Sequence, residues 1–159
     1  MKSLQTGKKE AAGMIYVADS SPQNWLYILF NTMEEAVRAD KSGKVVPNLA
    51  DYHWHSENDL ELRIKEGVKF QNGEKLSALT VQESLQELSR WQAPHPPGTF
   101  LNFIPFTLEV KDEYTVLLKF TDPDGLAPAK LRAAHLANRR FWDTLGFGYL
   151  KLGSGEGHW

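Results

Sequence analysis

Alternating apolar and polar residues predict most of the strands in this chain. Residues 60–64 alternate leucine or isoleucine with charged side chains, which is typical of a half-buried strand. The same spacing recurs over residues 106–110 and 114–120, and the acidic pair between them predicts a β-hairpin. A continuous apolar run at residues 14–17, ended by a turn cluster, predicts a buried strand, and residues 52–55 predict a further one.

Helical spacing predicts a helix soon after the two-glycine turn at residues 67–73. The apolar residues of the segment 81–88 fall at i, i+4 and i+7, which places them in one stripe on a helix surface. Either Ser77 or Thr80 is expected to cap this helix, and Thr80 with Glu83 fits the capping-box pattern. The predicted helix therefore presents one apolar face to the sheet.

Shorter elements are predicted before that helix. Residues 24–31 are apolar on all sides and predict a buried helix with Ser21 as its N-cap. Residues 36–46 predict two extended pieces joined by an exposed turn, in which Gly43 adopts a positive φ. Residues 47–50 are expected to form one helical turn that leads into the next strand.

The second half of the chain completes the architecture. Residues 128–136 and 139–145 predict two short helices, and no internal repeat is present. Strands come first, a helix follows and a hairpin returns, so we predict a mixed α/β fold with helices packed on a mixed sheet. Residues 1–12 are polar and rich in lysine and are predicted to be a disordered tail.

The composition is that of an ordinary globular protein. Hydrophobic residues make up 42% of the chain and charged residues 24%, with a formal net charge of −2. No basic stripe is present that would neutralise a row of phosphates, so nucleic acid is not an expected partner. The absence of cysteine excludes disulfides, zinc–thiolate clusters and a cysteine nucleophile, which suits both the cytosol and the periplasm.

No targeting signal is evident in this sequence. The apolar run at residues 11–18 contains a glycine and ends at Asp19, so it is too short for the core of a signal peptide. No stretch approaches the roughly 20 apolar residues of a membrane span. If the protein is exported, we expect its signal or lipid anchor to lie outside these residues.

Few residues suggest chemistry. His53 and His55 share one face of a strand and could offer two metal ligands, but no third ligand is evident, so two half-exposed histidines are the favoured interpretation. The glycines of residues 146–157 match no phosphate-binding pattern and predict a flexible linker. No catalytic constellation or cofactor site stands out, so we do not expect an enzyme.

The segment 62–81, which reads LRIKEGVKFQNGEKLSALTV, resembles the family 5 extracellular solute-binding proteins. These are the dipeptide, oligopeptide and nickel receptors of ABC importers. Two further segments, residues 40–50 and residues 110–116, resemble the family in the same order. The positions in step with the family pattern in the first segment are Ile64, Lys65, Gly67, Val68, Phe70, Gly73, Leu76, Ser77 and Ala78.

The resemblance implies a solute pocket on one lobe of a periplasmic-binding-protein fold. It implies that Ser20, Ser21 and Asn24 supply hydrogen-bonding groups, in a loop after the first strand, where open α/β sheets tend to bind ligands. It also implies that Phe100 supplies an aromatic wall. The alternative is that these residues are only a helix cap and a core phenylalanine.

The resemblance also implies function. A protein of this family captures a peptide-like or related small solute in the periplasm or at the cell surface and delivers it to ABC permease subunits. Because family members are considerably longer, we expect residues 13–145 to be a partial N-terminal lobe and residues 146–159 a glycine-rich tail truncated before the rest of the protein. Such a fragment is expected to fold, to bind poorly alone, and to self-associate through apolar surfaces that a second lobe would cover.

Two alternatives from other classes stay open. Some transcriptional regulators carry a similar solute-sensing domain behind a DNA-binding helix-turn-helix, although no such module precedes Met14 in this sequence. A small uncharacterised enzyme is the other alternative, because catalytic residues can lie far apart in a sequence.

Overall fold

A four-stranded antiparallel sheet is the largest sheet in the described residues, with its strands in the spatial order Ala50–Trp54, Asp59–Ile64, Thr115–Phe120 and Phe106–Asp112. The structure is a computed structural model, which describes residues 13, 31–89 and 101–145. The strands are β1 (Glu34–Glu35), β2 (Val37–Ala39), β3 (Val45–Pro47), β4 (Ala50–Trp54), β5 (Asp59–Ile64), β6 (Phe106–Asp112), β7 (Thr115–Phe120) and β8 (His135–Leu136). The helices that lie entirely within the described residues are α1 (Ala78–Ser89), α2 (Ala127–Lys130) and α3 (Arg139–Leu145), with a 3-10 turn at Leu131–Ala133.

The central pair of strands follows the predicted alternation. Leu60 and Leu62 of β5 are fully buried and lie opposite Leu118 and Val116 of β7. The intervening side chains point to the other face, where Arg63 is exposed. The predicted half-buried strand and the predicted hairpin of β6 and β7 are confirmed, and burial of this apolar face is the main stabilising contribution.

Helix α1 packs against the sheet through the predicted stripe, since Val81, Leu85 and Leu88 are buried. Its first turn is closed by reciprocal bonds: the Ser77 N–H donates to Thr80 Oγ1 (2.9 Å), and the Thr80 N–H donates to Ser77 Oγ (3.4 Å). Ser77 is therefore the cap, as one of the two alternatives predicted. The capping box that starts at Thr80 was wrong, because Thr80 already lies inside the helix.

Strands β2 and β3 form the predicted pair around an exposed turn. Gly43 takes a φ of +84°, and the Asp40 carboxylate accepts hydrogen bonds from the Ser42 backbone and hydroxyl. The single helical turn expected at residues 47–50 was wrong. Strand β3 ends at Pro47 and β4 begins at Ala50, because the N–H groups at 48 and 50 both donate to the Ala36 carbonyl.

The segment after β7 differs in part from its prediction. In place of one helix over residues 128–136, α2 and the 3-10 turn are followed by β8, which pairs antiparallel with β1. Helix α3 has the predicted bounds, and Asn138 Oδ1 accepts the Phe141 N–H at its start. The local pattern of residues 128–136 did not show that His135 and Leu136 would find a strand partner so far back in the sequence.

A buried serine joins α1 to this returning segment. Ser84 Oγ lies 2.8 Å from the Thr80 carbonyl and 3.0 Å from the Ala137 carbonyl, to either of which it can donate. It also accepts from the Ala137 N–H (3.0 Å) and from Trp142 Nε1 (3.4 Å). One hydroxyl thus ties the helix, the end of β8 and α3 together.

The mixed α/β class with packed helices and a β-hairpin is confirmed. All strand pairs within residues 31–89 and 101–145 are antiparallel. The predicted strand at residues 14–17, and all but the last residue of the predicted helix at 24–31, lie outside the described residues. No helix in the described ranges is both long and apolar enough to cross a membrane.

Candidate functional site

The four residues predicted to contact a solute fall outside the part of the chain that the structure describes. Ser20, Ser21 and Asn24 precede residue 31, and Phe100 immediately precedes Leu101, where the description resumes. The structure therefore does not test whether they come together. It does show what anchors the chain directly after Phe100, and which buried polar clusters lie in the described residues.

The segment 101–105, which follows Phe100, is held by an ion pair between the buried Asp124 and the partly buried Lys130. Asp124 Oδ2 accepts a hydrogen bond from the Ile104 N–H (3.0 Å) and one from Lys130 Nζ (2.7 Å). Lys130 Nζ also donates to Asp124 Oδ1 (2.9 Å) and to the carbonyl of Asn102 (3.0 Å). The Asp124–Lys130 pair thus fixes the chain within four residues of the predicted aromatic wall.

The Asp124–Lys130 pair is fully engaged and is an anchor rather than a binding group. The Leu126 N–H donates to Asp124 Oδ1 (3.3 Å), and Lys130 Nζ lies 5.7 Å from the centre of the Phe103 ring. Both carboxylate oxygens therefore have donors, which offsets the cost of burying the charge. An aspartate three residues before the start of α2 was the signal for this anchor in the sequence.

A second buried cluster lies between β1 and β8. Glu35 is completely buried, and its Oε2 accepts a hydrogen bond from Arg38 Nε (2.8 Å). Its backbone carbonyl accepts from Asn48 Nδ2 (2.8 Å). Its other carboxylate oxygen, Oε1, has no hydrogen-bond partner within the described ranges and lies 3.8 Å from Nε2 of the buried His135. Sequence patterns did not predict this cluster, because the spacing of Glu35 is that of a solvated carboxylate and His135 falls in the predicted helix at residues 128–136.

His135 titrates abnormally because of this environment. Burial disfavours its cationic form and lowers its pKa to about 4, an effect to which the nearby positive charge of Arg38 adds. A hydrogen bond with the Ala133 backbone acts in the opposite direction. His135 is therefore neutral at pH 7.

The predicted strand histidines have an additional partner that sequence did not reveal. His53 and His55 are exposed, with ring centres 5.0 Å apart, and His55 Nε2 lies 2.8 Å from Glu61 Oε2 on β5. The hydrogen bond with His55 is the main cause that lowers the pKa of Glu61, and Arg63 adds to it. Within the described ranges, no three His, Asp or Glu side chains are arranged to hold a metal ion.

The antiparallel sheet with its packed helices is similar to part of the periplasmic-binding-protein fold. A sequence model described as bacterial extracellular solute-binding proteins, family 5 Middle, matches residues 44–147. The chain belongs to this family, and the predicted membership is confirmed. A comparison with curated protein sequences found no significant match.

Solved structures of family 5 binding proteins share the fold. One is the oligopeptide-binding protein AppA of Bacillus subtilis with a nonapeptide: 20% identity, TM-score 0.63, covering 75% of this chain and 24% of that one. Another is a mannohexaose-bound periplasmic oligopeptide-binding protein of Thermotoga maritima: 21% identity, TM-score 0.62, covering 78% and 23%. A third is NikA of Staphylococcus aureus with Ni(L-His)2: 20% identity, TM-score 0.58, covering 67% and 23%.

The chain spans about a quarter of the length of these solved proteins. The likeness at these identities concerns the fold. The three bound ligands, a nonapeptide, an oligosaccharide and a nickel–histidine complex, differ in charge, size and shape. Proteins that share this fold thus bind unlike solutes, and the sheet by itself does not specify one.

Proposed function

We propose that this chain is part of the solute-binding component of an ABC importer and that it contributes one wall of a pocket for a peptide-like or related small solute. The match of residues 44–147 to the family 5 model is the observation that carries the proposal. The similar protein of Thermotoga maritima is a periplasmic protein of an oligopeptide ABC transporter. We extend solute binding and a role in an ABC transporter to this chain, with permease subunits as its protein partners.

The pocket wall in this proposal consists of Ser20, Ser21, Asn24 and Phe100. The observation that supports this wall is that the chain directly after Phe100 is held at Asn102 and Ile104 by the Asp124–Lys130 pair. The serines and Asn24 would orient polar groups of the solute.

A single lobe covers a ligand from one side only. Since most of the affinity of a pocket comes from burial on several sides, we propose that these 159 residues bind solute weakly, with a dissociation constant nearer about 1 mM than 1 μM. We further propose that residues 13–145 act as a partial N-terminal lobe. The boundaries of this lobe at residues 12 and 146 stay predictions.

The test is a ligand panel followed by NMR chemical shifts and calorimetry. The panel holds dipeptides, longer peptides, a mannose oligosaccharide and Ni(L-His)2. We expect millimolar peptide binding that Asn24→Ala or Phe100→Ala weakens at least fivefold, while the exposed-turn control Asn72→Ala leaves it unchanged. Binding of no solute would count against solute capture, and micromolar binding by the isolated chain would overturn the one-lobe proposal alone.

The alternative functions give different outcomes. A solute-sensing domain of a transcriptional regulator would bind solute similarly but would be fused to a helix-turn-helix in the gene, whereas an importer component would have permease genes as neighbours. An enzyme would convert a panel member, which product analysis by mass spectrometry would reveal. Self-association of the chain is also still a prediction, and size-exclusion chromatography showing only monomer at high concentration would contradict it.

A further inference from the structure

The contact between β1 and β8 joins two distant parts of the chain through very little backbone. Each strand has two residues, with Glu34 opposite Leu136 and Glu35 opposite His135. We call this contact the seam. Two such short strands supply few ladder hydrogen bonds, so the side chains between them decide whether the seam stays closed.

The seam is electrically balanced only while His135 is neutral. The Glu35 carboxylate and the Arg38 guanidinium form a salt bridge at 2.8 Å, which cancels their charges. A proton added to His135 would leave one uncompensated positive charge in a site where Glu35 is 0% exposed and the His135 side chain only 2%. Burying an uncompensated charge is costly, so the closed seam resists protonation.

The neighbouring elements place few negatively charged groups where they could stabilise a protonated His135. The Glu34 carboxylate lies 3.7 Å from Arg38 Nη2 on the exposed side. The buried residues of α1 are all uncharged, and the 3-10 turn before β8 carries a further cation, Arg132. On α3, the Arg139 guanidinium lies near Asp143 and near Glu87 of α1. Among the described residues, Glu35 is thus the single buried carboxylate that faces His135, and Arg38 already occupies it.

We propose that the seam is an acid-sensitive joint, which is closed while His135 is neutral and opens locally when His135 takes up a proton, before the four-stranded sheet unfolds. The pKa of His135 is about 4 in the closed seam, against 6.5 for an unperturbed histidine. His135 is cationic when it is protonated, and its pKa is lower in the closed seam than in the open one. Lowering the pH therefore favours the open seam. The contribution of neutral His135 to closure is fully present above pH 6.5 and is lost as the pH falls toward about 4.

Hydrogen exchange measured across this pH range tests the joint. We expect protection factors of the amides at residues 34–37 and 134–138, corrected for intrinsic exchange, to fall on the order of 100-fold between pH 7 and pH 4. Amides in the centre of β5 and β7 should keep their protection over the same range. Simultaneous loss of protection in the seam and in the central strands would overturn the proposal, because it would mean global unfolding.

The imidazole itself provides a second readout that does not depend on a variant. The pKa of His135, followed by NMR in the wild-type chain, should lie well below 6. A pKa at or above 6.5 would overturn the proposal, since it would mean that the Glu35 carboxylate stabilises a cationic His135 in the closed seam.

Two variants and a control distinguish the effect of His135 protonation from the effect of lost side-chain packing. His135→Phe replaces the imidazole with an aromatic ring that cannot take up a proton and should remove most of the pH dependence of seam protection. Arg38→Met removes the positive charge from a half-exposed position and should raise the pKa of His135, an effect that lost packing would not produce. His55→Asn, at an exposed histidine, should change neither readout. A seam that opens at the same pH in His135→Phe as in wild type would refute the role of His135.

Discussion

Asp124 and Glu35 are the two buried carboxylates in the described part of this protein, and their environments differ. Both oxygens of Asp124 accept hydrogen bonds, from Lys130 and from backbone N–H groups. Glu35 has one oxygen bound to Arg38, while its other oxygen faces a neutral imidazole at 3.8 Å. The first carboxylate is fully compensated, whereas the second is compensated on one side only.

This difference shows why burial alone does not tell what a carboxylate does. A saturated buried charge acts as an anchor, because every alternative arrangement leaves a group unpaired. A buried carboxylate with a hydrogen-bond donor on only one of its oxygens is a site where the uptake of a proton or a small displacement changes the electrostatic stabilisation. Four substitutions probe this contrast, in order of decreasing expected effect.

Asp124→Ala should have the largest effect, about 3 kcal/mol of unfolding free energy. This is the lower end of the range for breaking a buried pair, because Lys130 keeps some contact with solvent. Urea denaturation at pH 7 would measure it. Asp122→Ala, two residues earlier in the same turn and exposed, is the matched control and should lie within about 0.5 kcal/mol of wild type. A loss below about 1 kcal/mol for Asp124→Ala would mean that the pair is not an anchor.

Ser84→Ala should cost about 2 kcal/mol, since it removes the acceptor of the buried Ala137 N–H and of Trp142 Nε1. This substitution tests whether the neutral hydrogen bonds of Ser84 contribute more to the free energy of unfolding than the Glu35 cluster beside β8 does. Ser89→Ala, at an exposed serine of the same helix, is the control. Equal stability of the two variants in urea would show that the Ser84 hydroxyl is dispensable.

Glu35→Gln should cost only about 1 kcal/mol at pH 7, because the amide oxygen can still accept from Arg38 and the difference is that between a charged and a neutral hydrogen bond. The exposed Glu34→Gln is the control. Guanidinium or urea midpoints with unchanged slopes would measure the difference. A cost as large as that of Asp124→Ala would abolish the contrast between the two carboxylates.

Glu109→Gln should have the smallest effect. Hydrogen bonds from Lys111 and then from Lys119 lower the pKa of Glu109 to about 2, so any stabilisation is present above pH 4.5 and is lost toward pH 2. Because the group is exposed, we expect the thermal midpoints of the variant and wild type to coincide in about 1 M salt, where screening acts within about 3 Å. Glu113→Gln serves as a second exposed control. A midpoint difference that persists in high salt would show that this surface pair behaves like a buried one.

Local patterns predicted those elements whose residues contact near neighbours in sequence. The alternation around Leu62, the hairpin from Phe106 to Phe120 and the stripe around Leu85 all recur in the structure. The φ of Gly43 was also predictable, because an exposed turn between two short strands requires a left-handed residue. Such features depend on periodicity and steric limits, which a single sequence displays.

Features that depend on distant partners were missed or wrong. His135 and Leu136 were assigned to a helix because nothing nearby shows that β1 lies beside them. The helical turn predicted at residues 47–50 was wrong for the same reason, because the N–H groups at 48 and 50 donate to the Ala36 carbonyl. The predicted pocket residues Ser20, Ser21, Asn24 and Phe100 stay predictions that rest on the family resemblance.

The amino-acid order alone was enough to establish the family and the alternating core of the sheet, because motif spacing and hydrophobic period are properties of short segments. Only the tertiary structure placed Glu35 against His135 and Asp124 against Lys130 and the chain after Phe100. The electrostatic environment of a buried charge is set by groups that lie far away in sequence. Folding brings those groups within a few ångströms, and that proximity decides which carboxylate is an anchor and which can respond to pH.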